Sequence, residues 1–391
     1  MSTSTGSDLL ADKHEKLRST VESFAREEVA PVIGELYARE EFPYDLVAKM
    51  GDMGLFGLPF PEEYGGSGQD HFALCLAIEE LARVDSSVAI TLAAAVGLGT
   101  TPIYRYGTEE QKQRWMPPLC RGERLAAFGL TEPSGGSDAA AVGTTAQRQG
   151  SEWVINGTKC FITNGGTEIT SVVTVAAVTG GPANGRRQIS AIVVPAGTPG
   201  FTATKKYSKV GWSASDTREL TFSDCRVPLD HLLGEEGRGY PQFLRVLDEG
   251  RVAVAALSVG LAQGCIDECL AYVGQREVAG HKLGEYQALQ FKLADMEART
   301  YVARLAWYDA AARLGAGKPI KKEAAIAKLV ASDAAMVNAR EATQIFGGWG
   351  FMNDTPVGRF YRDAKILEIG EGTSEIQRSI IARQLGLPTH P

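Results

Sequence analysis

Tyr361-Arg362-Asp363-Ala364-Lys365-Ile366-Leu367-Glu368-Ile369-Gly370-Glu371-Gly372-Thr373-Ser374-Glu375-Ile376-Gln377-Arg378 is the stretch from which the rest of the chain is read. Within it a carboxylate, Glu371, stands between two glycines. With no Cβ on either side, a planar group or a ligand backbone can approach that carboxylate closely. Ser374 followed by Gln377 reads as a capping box, which predicts a helix beginning immediately after Glu371. The unpaired N–H groups and positive dipole end of that helix then lie beside whatever Glu371 faces. A carboxylate, an open turn and a helix N-terminus together suit proton abstraction beside a developing oxyanion. Spacing alone leaves a second reading open, a surface Glu in an ordinary loop before a terminal helix.

Composition narrows the class. At 391 residues the chain is long enough for two or three domains, and 44% hydrophobic with 22% charged residues is ordinary for a globular protein. A net charge of −7 argues against nucleic acid or an anionic membrane as partner. The longest apolar candidate, Val88 to Leu98, reads as too short to span a bilayer. Met1 to Asp8 is polar and unlike a signal peptide, so a cytoplasmic protein is expected. The six cysteines form no C-x-x-C pair and read as reduced, buried thiols, Cys265 and Cys269 sharing a helix face.

Along the chain the character changes twice, which predicts an α+β multidomain protein. Residues 1–124 read as an N-terminal helical domain. Leu9, Leu10, Leu17, Val21 and Phe24 recur at helical spacing, with Pro31 as a stop. A Gly/Pro-rich break at 57–68 precedes helices over Phe72 to Val84 and Ser87 to Tyr106. Thr108 to Gln111 is a second capping box, opening a helix that Pro117-Pro118 is expected to end. Residues 125–236 read as a middle β-sandwich or barrel. There Trp153 to Ile162 is predicted to be a hairpin turned by Asn156-Gly157. Further strands are placed at Ser171 to Val178, Gln188 to Val194 and Glu219 to Phe222, with Gly180 to Arg187 as a polar loop. Residues 237–391 carry long helices with short connections, over Tyr240 to Gln275, Glu285 to Leu314 and Lys321 to Phe346, and read as a C-terminal four-helix bundle.

The usual nucleotide and hydrolase signatures are absent from the sequence: no G-x-G-x-x-G between a strand and a helix, no P-loop, no H-E-x-x-H and no G-x-S-x-G. His14, His71, His231, His281 and His390 offer no ligand spacing, so no metal is expected. Phe128-Gly129-Leu130-Thr131-Glu132-Pro133-Ser134-Gly135-Gly136-Ser137-Asp138 could present successive backbone N–H groups to an anion or a ring edge, or could be a plain Gly/Ser linker. Gln344-Ile345-Phe346-Gly347-Gly348-Trp349-Gly350-Phe351 reads locally as a helix C-cap and turn.

These stretches carry a resemblance. Gly370 to Arg378 resembles the C-terminal motif of the acyl-CoA dehydrogenase family, Phe128 to Asp138 its flavin signature, and Gln344 to Asp363 its second signature. The resemblance covers nearly the whole chain and implies an α–β–α fold with a terminal four-helix bundle. It implies FAD as cofactor, held by Phe128, Leu130, Thr131, Gly136, Ser137, Phe161, Ile162, Thr163, Arg276, Gln287, Thr373 and Glu375. It gives Gln344, Ile345, Gly347 and Gly348 to the FAD of a neighbouring subunit, hence a homotetramer built as a dimer of dimers. Substrate contacts fall to Ser137, Asp248, Arg251, Gly370 and Gly372. The sequence departs from the pattern at Phe161, where the family usually has Trp, and at Ala279, where a Phe would pack at the adenine end.

The implied reaction is introduction of a trans-2,3 double bond into an acyl-CoA. Glu371 would take the α-proton while the β-hydrogen leaves as hydride to flavin N5, and an electron-transfer flavoprotein would accept the electrons. The Glu371 N–H and a flavin ribityl hydroxyl are the expected oxyanion donors, and apolar burial should raise the Glu371 pKa. Some relatives carry the base one residue before Arg251, but this position is Gly250. Glu249 should point about 100° away from it. Glycine at 370, where many relatives have Tyr, would widen the pocket for branched short acyl groups. An acyl-CoA oxidase or flavin monooxygenase on the same fold would consume oxygen, and a dehydrogenase of carrier-protein-bound acyl groups is a further reading. A colourless scaffold would lack flavin absorption.

Overall fold

The computed structural model describes residues 11–183 and 186–388; the readings of Met1 to Leu10 and of His390 fall outside them. Helices α1 (Asp12–Phe24) and α2 (Ala30–Ala38) are joined by a π-helical turn, Ala25–Val29, so Pro31 opens α2 and does not stop the helix before it. A first-turn N–H has no helical acceptor to lose, which is why Pro is tolerated there. Helices α3 (Tyr44–Asp52), α4 (His71–Ala82), α5 (Ser86–Ala93), α6 (Thr101–Tyr106) and α7 (Glu109–Cys120) complete the N-terminal part. The capping box of Thr108 and Gln111 forms, but α7 continues through Pro117 and Pro118 to Cys120. Leu119 and Cys120 are buried at that end, and their packing outweighs the two lost N–H donors.

A second π-helical turn, Ala94–Thr100, connects α5 to α6. The continuous helix Ser86–Tyr106 spans 21 residues and holds an 18-residue window of mean hydropathy 1.5, so it is longer than the Val88 to Leu98 run and long and apolar enough to cross a membrane. Of that window 94% is buried inside the protein, as is 89% of the corresponding window in Gly239–Gln275, which accounts for the apolar composition of both.

The middle part is one sheet. Strands β1 (Leu125–Gly129), β2 (Thr145–Gln149), β3 (Glu152–Thr163), β4 (Thr170–Ala183), β5 (Arg186–Pro195), β6 (Phe201–Ala203), β7 (Thr217–Pro228) and β8 (Leu232–Leu233) run in the order β6-β7-β3-β2-β4-β5-β8, with β1 parallel to β4. The predicted hairpin over Trp153 to Ile162 is instead one continuous strand, β3. Asn156-Gly157 lies at a register shift against β7, and a Cβ on Gly157 would stand 2.4 Å from Thr144 Oγ1. Flanked by strands on both sides, the dipeptide makes a bulge and a close approach, not a turn. The expected loop at 180–187 is largely strand, since β4 and β5 still pair at Gly180 and Gln188. In β4, Val173, Val175 and Ala177 pack with Trp153, Ile155 and Phe222, while Val172 and Ala176 face the helical core. Alternate residues thus serve two cores, and the strand reads as uninterrupted apolar sequence.

The C-terminal helices are α8 (Gly239–Gln275), α9 (Gln287–Gly315), α10 (Lys321–Phe346), α11 (Pro356–Leu367) and α12 (Ser374–Gln384). A short hairpin, β9 (Glu277–Val278) and β10 (His281–Lys282), links α8 to α9, and Ala279 sits in its turn at φ 53°. Helix α8 crosses α4 so closely that a Cβ on Gly260 would stand 2.1 Å from Glu79 O. Glu79 accepts from Arg304 Nε at 2.8 Å and Trp307 Nε1 at 2.7 Å, binding α9 to the same place. A second buried centre is Asp363, which accepts from Tyr37 Oη at 2.7 Å, Ser86 Oγ at 2.6 Å and the Trp212 N–H at 2.7 Å. One carboxylate therefore ties the N-terminal helices, the β part and α11 together.

Candidate active site

Glu371 lies in the short connection between α11 and α12, with its backbone at φ 53°. Gly370 N–H closes on Ile366 O at 2.7 Å and turns the chain out of α11. The cap of α12 is Thr373, whose hydroxyl accepts from Ile376 N–H at 3.3 Å, so the predicted capping box begins one residue too late. Gln377 instead turns its amide back, donating to Glu371 O at 3.3 Å and Gly372 O at 2.8 Å. A left-handed, non-glycine conformation is uncommon and persists where neighbours over-determine it. Here Gln377 supplies two such bonds, Arg251 Nε approaches Glu371 O at 3.5 Å, and Lys328 Nζ donates to Gly372 O at 2.9 Å.

The carboxylate lies against α8. A Cβ built on Gly250 would stand 2.4 Å from Glu371 Oε2 and 3.1 Å from Leu98 Cδ2, so α8, the second π-helical turn and Glu371 meet at one point. Oε2 is buried with no hydrogen-bond partner among the described residues. Burial pushes the Glu371 carboxyl up to about 7, against the opposing pull of Arg251 and Lys328. Glu249 turns elsewhere: it is buried and paired to Arg105 at 2.7 Å. Arg251, only 5% exposed, pairs with Asp248 and backs the Glu371 turn.

Phe128 packs on Phe243 in the second turn of α8, with ring centroids 4.7 Å apart. Gly250 follows seven residues later, about 10 Å along the helix. Beside this contact the Leu130–Glu132 segment is fixed from below. Lys159 Nζ donates to Leu130 O at 3.2 Å and pairs with Glu132 at 2.6 Å, and Cys160 N–H donates to Thr131 O at 2.9 Å. Glu132 also accepts from the Gly143 and Thr144 N–H groups and the Thr144 hydroxyl. Burial holds Lys159 down at about 8. On the same strand Ile162 is buried, Thr163 half-buried, and Phe161 is 67% exposed at φ 60° with its ring near Tyr207. An exposed aromatic ring together with half-buried Leu130 and Thr131 could hold a flat ring system such as an isoalloxazine. Gly136 and Ser137 are exposed at the loop's far end.

The other predicted cofactor residues lie at a different end. Tyr272 stacks on Phe346 at 4.2 Å, which brings together the end of α8 and the end of α10. Arg276, Gln287, Gln344, Gly347 and Gly348 are exposed around that junction, while Ile345 is buried. Thr373 is engaged as a helix cap and Glu375 is exposed on the first turn of α12. Sequence reading passed over Lys328, Leu98 and the Lys159–Glu132 pair. Lys328 had a signal, one lysine on an otherwise Ala-rich buried face of α10. Leu98 had none, because the π-helical turn that aims it has no sequence mark.

The helix–sheet–helix order is that of a class of flavoprotein oxidoreductases acting on a CH–CH bond. The profile "Acyl-CoA dehydrogenase, N-terminal domain" matches residues 11–123, the middle-domain profile residues 127–225 and the C-terminal-domain profile residues 237–386. "Probable acyl-CoA dehydrogenase YngJ" of Bacillus subtilis is 48% identical over 376 residues, covering 96% of this chain and 98% of that protein. The butyryl-CoA dehydrogenase of Megasphaera elsdenii superposes with a TM-score of 0.93 at 41% identity, over 96% of this chain and 98% of that one. A chain in the structure "Electron transferring flavoprotein of Acidaminococcus fermentans" gives a TM-score of 0.93 at 42% identity with the same coverage. The chain belongs to the acyl-CoA dehydrogenase family, whose members are FAD-dependent flavoproteins.

Proposed function

We propose that this enzyme dehydrogenates short acyl-CoA thioesters between the α- and β-carbons, with Glu371 as the base. The observation that carries this is the orphaned, buried Oε2 of Glu371 lying over a helix glycine. A carboxylate with an unused lone pair and a pKa near 7 is matched to taking a proton at neutral pH. The Glu371 N–H has no acceptor among the described residues and is free to stabilise the thioester oxygen as negative charge develops there. Arg251 and Asp248 pair beside the Glu371 turn, and Ser137, exposed at the loop end, would meet the polar part of CoA.

FAD, when bound, supplies the hydride acceptor for the β-hydrogen. Leu130, Thr131, Phe161, Ile162 and Thr163 would carry its ring, with Phe128 and Gly136 beside them. Arg276 and Gln287 would hold its pyrophosphate and adenine end, while Gln344, Ile345, Gly347 and Gly348 would reach the FAD of a neighbouring subunit in a homotetramer. Thr373 and Glu375 complete the set from the start of α12. The acceptor of the electrons is an electron-transfer flavoprotein, a reading supported by the Acidaminococcus fermentans likeness.

Gly370 tunes the acyl pocket. Its φ is not positive and a Cβ there would meet only Ile366, at 3.3 Å from O, so the turn does not by itself demand glycine. The test is anaerobic titration of wild type and Glu371→Gln with isobutyryl-, isovaleryl-, butyryl- and octanoyl-CoA. Glu371→Gln is expected to keep its flavin and lose nearly all flavin reduction. Full reduction by that variant removes Glu371 from the role, and a clear preference for octanoyl-CoA refutes the short-chain pocket.

A further inference from the structure

Lys328 is fully buried on α10, among Ala324, Ala325, Ala327 and Ala331. Its one hydrogen-bond acceptor among the described residues is the Gly372 carbonyl, at 2.9 Å. A buried ammonium retained with a single neutral acceptor is costly, whereas a methionine would fill the same volume at little cost. Some charge must therefore face it. The charged groups around it are Glu371 and Glu368 from the α11–α12 connection, Arg251 from α8, and Asp333 one turn along α10, itself paired to Arg378 at 3.7 Å. Glu371 is the largest favourable charge on Lys328, and Lys328 in turn draws the Glu371 carboxyl downward.

We infer that Lys328 is a positioning residue for Glu371, its ammonium pinning the Gly372 carbonyl and supplying the charge that lets the carboxylate ionise. The inference rests on Glu371 being the base. Two effects follow from two parts of the side chain. The N–H···O bond holds the left-handed turn and hence the aim of the carboxylate. The charge opposes the burial that raises Glu371, and it acts without direct contact with the substrate. Burial lowers Lys328 itself to about 8, so its charge is present through neutrality and fades above that.

The two parts separate by substitution in the FAD-loaded enzyme. Lys328→Gln keeps a donor for Gly372 O and removes the charge; Lys328→Met removes both. Both variants are expected to shift the Glu371 titration upward by about one pH unit, the lower end of what a nearby opposite charge does to a carboxylate. The readouts are the acid limb of kcat/KM and an infrared titration of the carboxyl stretch, with Glu371→Gln as the subtraction. Lys328→Gln should keep wild-type flavin content and KM, whereas Lys328→Met should also lose about tenfold in kcat through misplacement of the turn. An unmoved infrared titration in Lys328→Gln overturns the inference, and so does a Gln variant that no longer folds or holds flavin, because only its charge was meant to matter. If Glu371→Gln itself reduces flavin normally, the base assignment fails and not the Lys328 inference alone.

Discussion

A β-carbon on Gly250 would stand 2.4 Å from Glu371 Oε2, so α8 carries a glycine where the carboxylate of a residue 121 positions later lies against it. No positive φ is needed at Gly250; the requirement is space. Gly250→Ala should therefore leave the fold and flavin content intact while pushing Glu371 out of line. A displacement of about 1 Å at a reacting group costs on the order of a hundredfold in rate. Stopped-flow reduction of the bound flavin by butyryl-CoA measures it, and wild-type rates in Gly250→Ala would show that the carboxylate has no need of that place.

The protonation of Glu371 sets a pH dependence. Its carboxyl is raised from 4.5 to about 7, and the base must be ionised. The value of kcat/KM should rise with pH through about 7 and lie about a hundredfold below its plateau two pH units lower. An acid limb near the ordinary carboxylate value would contradict the burial.

The same shift has a stability consequence of defined sign. Because the folded-state pKa is the higher one, the folded protein holds this proton more tightly than the unfolded chain does. Stability contributed by the site is present below about 4.5 and lost as pH rises to about 7. Glu371→Gln mimics the protonated acid, so its thermal midpoint should match wild type below about pH 4.5 and exceed it at about pH 8. The opposite order would mean that Glu371 is stabilised as an anion.

Asp363 holds three parts of the fold, and burial raises its carboxyl against the pull of Ser86, Tyr37, the Trp212 N–H and Arg359. Removing it leaves Tyr37 Oη, Ser86 Oγ and the Trp212 N–H without their common acceptor. Asp363→Ala should cost about 3–5 kcal/mol, read from denaturant midpoints. Tyr37→Phe added to it should cost little more, since the pair shares one bond. A loss below about 1 kcal/mol for Asp363→Ala would place the junction elsewhere.

Much of this was legible in one dimension, because it depends on local period and on contiguous motifs. The helix–sheet–helix order, the three long C-terminal helices and the glycine frame of Glu371 are properties of neighbouring residues, and repeat spacing reports them directly. The Thr108 cap was legible for the same reason: donor and acceptor lie three residues apart.

Only tertiary structure could decide the remainder, because it turns on partners far away in sequence. Asn156-Gly157 carries the signature of a hairpin turn, yet β2 and β7 on either side make it a bulge inside one strand. Val88 to Leu98 has the composition of a lipid-facing segment, and the protein's own core takes the place of lipid. The working state of Glu371 belongs to this second group. Its motif names the carboxylate, but Gly250, Arg251 and Lys328 come to it from helices 43 residues or more away, and their space and charge set how tightly it holds a proton.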